Sequence, residues 1–156
     1  MNIKKVHQKL LAWYEKEGRD YLPWRQTENI YHVYLSEIML QQTQVSRVMD
    51  EYYPRFLQRF PDLKTLSIAS LEEVFSFWSG LGYYRRAKNL HATAQLIAPI
   101  LPDSMKELLT LPGIGKYTAS AICSFGYNQS VSVVDTNIAR VLGRFFAKER
   151  PQEKEL

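Results

Sequence analysis

Three short segments of this 156-residue chain carry residues whose types and spacing suit chemistry. In Ser36-Glu37-Ile38-Met39-Leu40-Gln41-Gln42-Thr43-Gln44-Val45, Glu37 is the only charged residue between Glu28 and Arg47. Helical spacing sets it near Val33, Tyr34, Gln41 and Gln44, a mixed apolar and amide face. A carboxyl so placed is either an ordinary surface group or a buried acid whose pKa rises toward neutral. In the segment 132–142, Asp135 follows the apolar run Val133-Val134 and precedes a helical pattern, as an N-cap does. Capping would not forbid chemistry, because a carboxylate at a helix start stays ionised and can face a developing cation. In Leu111-Pro112-Gly113-Ile114-Gly115, two glycines flank an apolar anchor. They permit a tight turn between helices, and the backbone N–H groups at the next helix start suit an anion such as a nucleic-acid phosphate. The same five residues also fit an ordinary helical hairpin.

The elements that must position these groups are helical nearly throughout. Ile3, Val6, Leu10, Trp13 and Tyr14 recur at helical spacing until Gly18. A polar connection containing Leu22-Pro23-Trp24-Arg25 follows, and a second helix is predicted over about 31–41. A third carries Val45, Val48, Met49, Tyr52, Tyr53, Phe56, Leu57 and Phe60 as one apolar stripe, with a kink or break expected at Pro54. Ser70 with Glu73, and Ser104 with Glu107, read as capping boxes. Gly80 or Gly82 ends the helix opened by Ser70, and Pro99 and Pro102 stop another that begins at Tyr84. Only 131–134 reads as extended. The expectation is an all-α protein of five to eight helices.

Composition narrows the function classes. With 46% hydrophobic residues the chain can bury a core, and its length suits one compact domain. A formal charge of +4 and a pI near 9.1 are compatible with a nucleic-acid partner without requiring one. Cys123 is the only cysteine, so an intramolecular disulfide or a cysteine-ligated zinc or iron–sulfur site within this chain is excluded. Residues 117–134 are uncharged, but Ser120, Ser124, Asn128, Gln129, Ser130 and Ser132 make a membrane span unexpected. The first residues lack the apolar stretch of a signal peptide, and a cytoplasmic, monomeric protein is expected. His7, His32 and His91 are scattered without metal-ligand spacing.

The order and spacing of Ser36–Val45, Gly80-Leu81-Gly82-Tyr83-Tyr84-Arg85-Arg86-Ala87-Lys88-Asn89-Leu90, Leu111-Pro112-Gly113-Ile114-Gly115-Lys116-Tyr117-Thr118-Ala119 and Val133-Val134-Asp135-Thr136-Asn137 resemble the adenine DNA glycosylases of the helix-hairpin-helix superfamily, over about 22–146. The resemblance implies a six-helix barrel over 23–134, with the helix-hairpin-helix at about 105–125. Residues 1–22 and 135–156 would belong to an incomplete second helical domain. It implies that Glu37 is the general acid that protonates N7 of an extruded adenine. Asp135 would stabilise the sugar oxocarbenium ion, with a transient covalent adduct as one form of that role. Tyr117 and Asn137 match supporting residues of the pocket. Gln42 and Tyr83 match residues that wedge into the duplex beside the oxidised guanine, with Thr43 and Leu81 near that base. Gly113 and Gly115 match the phosphate-gripping hairpin, and Gln41, Arg86 and Lys116 complete the expected DNA-contacting set. Arg85, Arg86 and Lys88 adjoin the Tyr83 wedge. Arg140, Arg144 and Lys148 form a second basic row that fits a phosphate backbone or a solvated face.

Double-stranded DNA with adenine opposite 8-oxoguanine or guanine is the implied partner. Related enzymes that also cut the backbone have a lysine where this chain has Tyr117, so base removal without efficient strand cleavage is expected. The family continues past this chain's last residue with four cysteines that bind a [4Fe-4S] cluster, whose ligands this chain lacks. In the family the N-terminal helix packs on those later helices, so the stripe of Ile3, Val6, Leu10 and Trp13 is expected to be partly exposed. The chain is thus either a fragment or a natural truncation. Two alternatives remain: a same-fold glycosylase for another mismatched base such as thymine, and a truncated DNA-binding module without catalysis.

Overall fold

The computed structural model describes residues 3–146, which contain helices and no strand. Helix α1 spans Ile3–Glu17, and a short 3-10 turn, Pro23–Arg25, leads to α2, Ile30–Met39. Then come α3 (Val45–Arg47), α4 (Tyr53–Arg59), α5 (Leu63–Ile68), α6 (Leu71–Trp78) and α7 (Tyr84–Ile97). Helices α8 (Met105–Leu108), α9 (Lys116–Ala121) and α10 (Thr136–Phe145) follow among the described residues. Among the described residues no helix is long and apolar enough to cross a membrane.

Side-chain caps set several of these boundaries. Asn29 accepts from the Tyr31 N–H at 3.0 Å, Asp62 from Thr65 at 2.6 Å and Ser70 from Glu73 at 3.1 Å. The Glu73 carboxylate is held by Arg59 at 2.5 Å, an ion pair between α6 and α4. Ser104 differs from expectation: it occupies the N-cap of α8, but its side chain makes no capping bond. Pro54 lies in the first turn of α4, directly after a π turn, Val48–Tyr52, that joins α3 to α4. The break foreseen at Pro54 is therefore a local widening of one continuous helix. Val48, Tyr52, Tyr53, Phe56 and Phe60 all remain in the core.

The core closes around α2, which is buried on nearly every side: Tyr31, Val33, Tyr34, Leu35, Ser36, Ile38 and Met39 are all inside. Two of its internal hydroxyls are satisfied by backbone carbonyls, Ser36 donating to Val33 at 2.8 Å and Tyr31 to Phe60 at 2.9 Å. An aromatic group packs below it, with Phe56 4.8 Å from Phe60 and 5.8 Å edge-on from Trp78, ring centre to ring centre. Helix α7 covers α5 and α6, while α9 and the π turn that extends it, Ile122–Gly126, cover α2.

The two terminal helices differ from the rest. No residue of α1 is buried, and its Ile3, Leu10 and Trp13 are exposed. Helix α10 buries only Gly143 and leaves Ile138, Val141 and Phe145 half open. Arg140 and Arg144 of the second basic row are exposed, and Lys148 lies outside the described residues.

The two hairpin glycines are needed for different reasons. Gly113 has φ +74°, and a Cβ there would lie 2.6 Å from Asn89 Nδ2 and 2.8 Å from Asn89 Cβ. Gly115 has φ −91°, and a Cβ there would meet nothing within 4 Å. Ile114 between them is 5% exposed and anchors the turn in the core. Gly113→Ala is expected to cost about 1–3 kcal/mol in denaturant unfolding, through left-handed strain and crowding. Gly115→Ala is expected to stay within about 0.5 kcal/mol of the parent; equal losses at both positions would contradict this assignment.

Candidate active site

A cleft of about 1080 Å³ opens beside the C-terminal half of α2. Its walls come from four parts of the chain: Tyr14 and Arg19 near α1; Trp24 and Arg25 of the 3-10 turn; Val33, Glu37 and the loop residues Gln41 and Gln42; and Tyr117, Ser124, Phe125 and Asp135-Thr136-Asn137 on the far side. The elements meet here because α2 is sequestered on its other faces, so its single charged side chain must point to the opening.

Glu37 is half-buried, and desolvation pushes its carboxyl pKa up. The hydrogen bond from the Tyr117 hydroxyl and the charge of Arg25 oppose that rise without cancelling it. Tyr117 is itself pushed up to about 12, by burial first and then by the charges of Glu37 and Asp135. Its hydroxyl therefore stays protonated and can donate to the acid. Arg25 is held in place by Tyr14, with Nη1 3.4 Å from the phenol oxygen.

Asp135 behaves in the opposite way. It is the N-cap of α10, and its Oδ1 accepts from the Ile138 N–H at 2.7 Å. Its Oδ2 accepts from Asn137 Nδ2 at 3.1 Å. The bond from Ile138 is the largest reason that its carboxyl lies below the usual range, and Asn137 adds to it. Asn137 in turn accepts from Arg140 at 3.1 Å. One cleft thus holds a carboxyl inclined to keep its proton and another inclined to lose it, with Tyr117 electrostatically linked to both.

The structure gathers Glu37, Tyr117, Asp135, Asn137, Gln41 and Gln42 in this cleft. Tyr83 stands outside it, 61% exposed, and both Gln42 (φ 56°) and Tyr83 (φ 49°) take the left-handed backbone conformation. Lys116 lines a smaller cavity of about 350 Å³ behind Tyr117. Two expected DNA contacts are placed differently. Leu81 is 5% exposed, so its side chain belongs to the core. Arg86 is 9% exposed and spends its guanidinium inside the protein, on the carbonyls of Ile38, Met39, Gln41, Leu81 and Gly82 and on the Thr43 hydroxyl. It does not offer that group to a phosphate. Thr43 is its partner and also donates to Gln41 O at 3.3 Å.

Sequence reasoning missed Tyr14, Arg19, Arg25, Ser124 and Phe125 as cleft residues. The Trp24-Arg25 pair had a visible signal, two conspicuous side chains in a polar connection, whereas Tyr14 and Arg19 arrive only through tertiary packing. Among the described residues no cluster of His, Cys, Asp and Glu is placed to hold a metal ion. A four-thiolate cluster does not fit the residues of this chain, since Cys123 is the sole cysteine, buried and 3.7 Å from the Asp103 carbonyl.

A hairpin with an internal anchor, followed by an aspartate-capped helix facing a cleft acid, defines the class to which this site belongs. Residues 35–156 match the HhH-GPD superfamily of base excision DNA repair proteins, and the chain belongs to that superfamily. The adenine DNA glycosylase of Buchnera aphidicola subsp. Baizongia pistaciae is 48% identical over 145 residues, covering 90% of this chain and 41% of that protein. The adenine DNA glycosylase of Homo sapiens is 44% identical over 150 residues, covering 86% of this chain and 27% of that protein. The chain therefore spans less than half the length of these curated relatives. Among solved structures, a thermostable thymine-DNA glycosylase superimposes with a TM-score of 0.82 at 26% identity, over 90% of this chain and 66% of that one.

The raised pKa of Glu37 has a consequence for stability. The folded state holds its proton more tightly than the unfolded chain, so stability declines as pH rises from the ordinary value of 4.5 through the folded-state pKa. Glu37→Gln, neutral at every pH, is expected to raise Tm at pH 8 and to leave it unchanged at about pH 4. Thermal melts at both pH values test this, and a lower Tm at pH 8 would contradict the desolvated placement.

Proposed function

We propose that the chain carries the base-excising machinery of an adenine DNA glycosylase that acts on double-stranded DNA, at adenine opposite 8-oxoguanine or guanine. The observation that carries the reading is the pair of carboxyls with opposite proton affinities facing one cleft. The adenine-glycosylase relatives support the choice of base. In the division that the resemblance implies, 23–134 supplies Glu37 and Tyr117, while Tyr14 and Arg19 of 1–22 and Asp135 and Asn137 of 135–156 also line the cleft.

An adenine anion is a poor leaving group, and neither carboxyl can reach a base stacked in the duplex. The adenine must therefore turn out into the cleft. Glu37 gives its proton to N7, which allows the bond from C1′ to N9 to break with its electron pair leaving on the neutral base. Acid catalysis of this kind supplies about 10²–10⁴-fold. The sugar is left as an oxocarbenium ion, which the ionised Asp135 stabilises at short range. Water then adds at C1′ and loses a proton, leaving an abasic site. One neutral acid and one carboxylate is the division of labour found in glycoside cleavage. Tyr117 stabilises the Glu37 carboxylate left after proton transfer by donating to it. Because position 117 has no amine and Lys116 lines the other cavity, no Schiff base forms in the cleft and the backbone stays intact.

Single-turnover cleavage of a duplex with adenine opposite 8-oxoguanine, read with and without alkali beside a thymine–guanine control, tests the reading. Alkali-dependent breaks at adenine alone are expected, and cleavage confined to thymine would shift the activity to the other base. Binding without cleavage would leave a DNA-binding module. Glu37→Gln and Asp135→Asn are each expected to abolish excision while mismatch binding stays within a few-fold. Tyr117→Phe removes the bond that holds the Glu37 pKa down, so the alkaline limb of the excision profile is expected to move to higher pH. A limb that moves to lower pH would contradict the Tyr117–Glu37 link.

A further inference from the structure

We propose that Arg86 is a positioning residue that locks Gln42 and Tyr83 onto one rigid platform at the end of the Glu37 helix, so that the two side chains enter a duplex as a unit. The proposal deepens the glycosylase reading and rests on it for the duplex. Among the described residues no side-chain hydrogen bond of Gln42 or Tyr83 joins the two turns, whereas the Arg86 guanidinium bonds to both. Arg86 Nη1 donates to Ile38 O at 3.0 Å, Met39 O at 2.9 Å and Gln41 O at 2.6 Å. Its Nη2 donates to Thr43 Oγ1, Leu81 O and Gly82 O at 3.2, 3.3 and 3.2 Å. One planar cation therefore joins the C-terminal end of α2, the turn that carries Gln42 and the turn that carries Tyr83. A positive charge against the last carbonyls of α2 is also favourable for that helix.

Backbone strain marks what the clamp holds. Gln42 and Tyr83 are non-glycine residues at positive φ, a conformation that persists only where the surroundings enforce it. Gln42 is bracketed by two partners of Arg86, Gln41 and Thr43, and Tyr83 directly follows two more, Leu81 and Gly82. The Tyr83 ring lies 5.3 Å from the Arg86 guanidinium, with Trp78 at 5.5 Å. Trp78 Nε1 also donates to Gly82 O at 3.0 Å. Gln42 and Tyr83 are themselves exposed. Lysine cannot replace this arrangement, because a single ammonium with three donors has no fork to span both turns.

The test begins without DNA. In Arg86→Lys, hydrogen exchange of the amides in 40–43 and in 81–84 is expected to speed up about tenfold in both segments together, with the 111–116 hairpin unchanged. The second measurement uses 2-aminopurine in place of the target adenine to read extrusion, and single-turnover excision to read chemistry. Arg86→Lys alone is expected to lower both readouts about 100-fold, yet to add less than about threefold in a Tyr83→Ala background. Loosening of one segment only, or a full multiplicative loss in the Tyr83→Ala background, would overturn the proposal and leave a general packing role. Should Arg86→Lys not fold, Thr43→Val is expected to give the same paired loosening at about threefold, and an unpaired response overturns the proposal equally. A parent chain that excises nothing would sink the glycosylase reading alone, since the exchange experiment involves no substrate.

Discussion

A helix buried on nearly every side has only one place to put a carboxyl, and the rest of this molecule follows from where that place is. Helix α2 turns aromatic and aliphatic side chains into the core all around its circumference. Glu37, its single charged residue, must face the one direction that packing leaves open. The cost of partial desolvation at that opening raises the proton affinity of the group above that of an ordinary glutamate. The same packing that builds the core therefore raises the proton affinity of the site, against the opposing Tyr117 bond and Arg25 charge.

The opposite wall works by a different mechanism. Asp135 owes its low proton affinity to hydrogen bonds at the start of α10, which are local and survive exposure. Desolvation tunes one carboxyl through the whole fold, and capping tunes the other chiefly through two neighbouring residues, Ile138 and Asn137. Tyr117 joins the two regimes: its hydroxyl is held protonated by burial and by both acids, and it meets Glu37 as a donor. A cleft assembled from α1, the 3-10 turn, α2, α9 and α10 thus holds two electrostatic environments, with Tyr117 linked to both.

The ends of α2 show how tightly acid and periphery are coupled. Its N-terminus is capped by Asn29, and its C-terminal carbonyls turn onto the Arg86 guanidinium. An arginine in a basic stretch beside an exposed tyrosine reads as a phosphate contact, because charge and neighbours are all that a sequence offers there. Burial reverses that reading: the two terminal nitrogens of Arg86 are spent on five backbone carbonyls and the Thr43 hydroxyl within the protein. Leu81 is a parallel case, an apolar residue in an exposed turn whose side chain belongs to the core.

Much of the fold was legible in the chain itself. The helical periods, the stops at Gly18 and Pro99, the caps at Ser70 and Asp135, and the Leu111–Gly115 hairpin follow from interactions within a few residues, and such interactions are encoded where they act. The bare chain also left Glu37 open between surface group and buried acid, and it could not place Tyr14, Arg19 or Arg25 at the cleft. Those questions depend on which distant segments pack against a given side, and so on which polar groups lose water. The sequence by itself determined the helices, the turn chemistry and the identities of the two carboxyls. Only the tertiary structure decided that one carboxyl is desolvated, that Arg86 points inward and that Gln42 and Tyr83 are held in strained conformations, because burial is a property of the whole fold and belongs to no single segment.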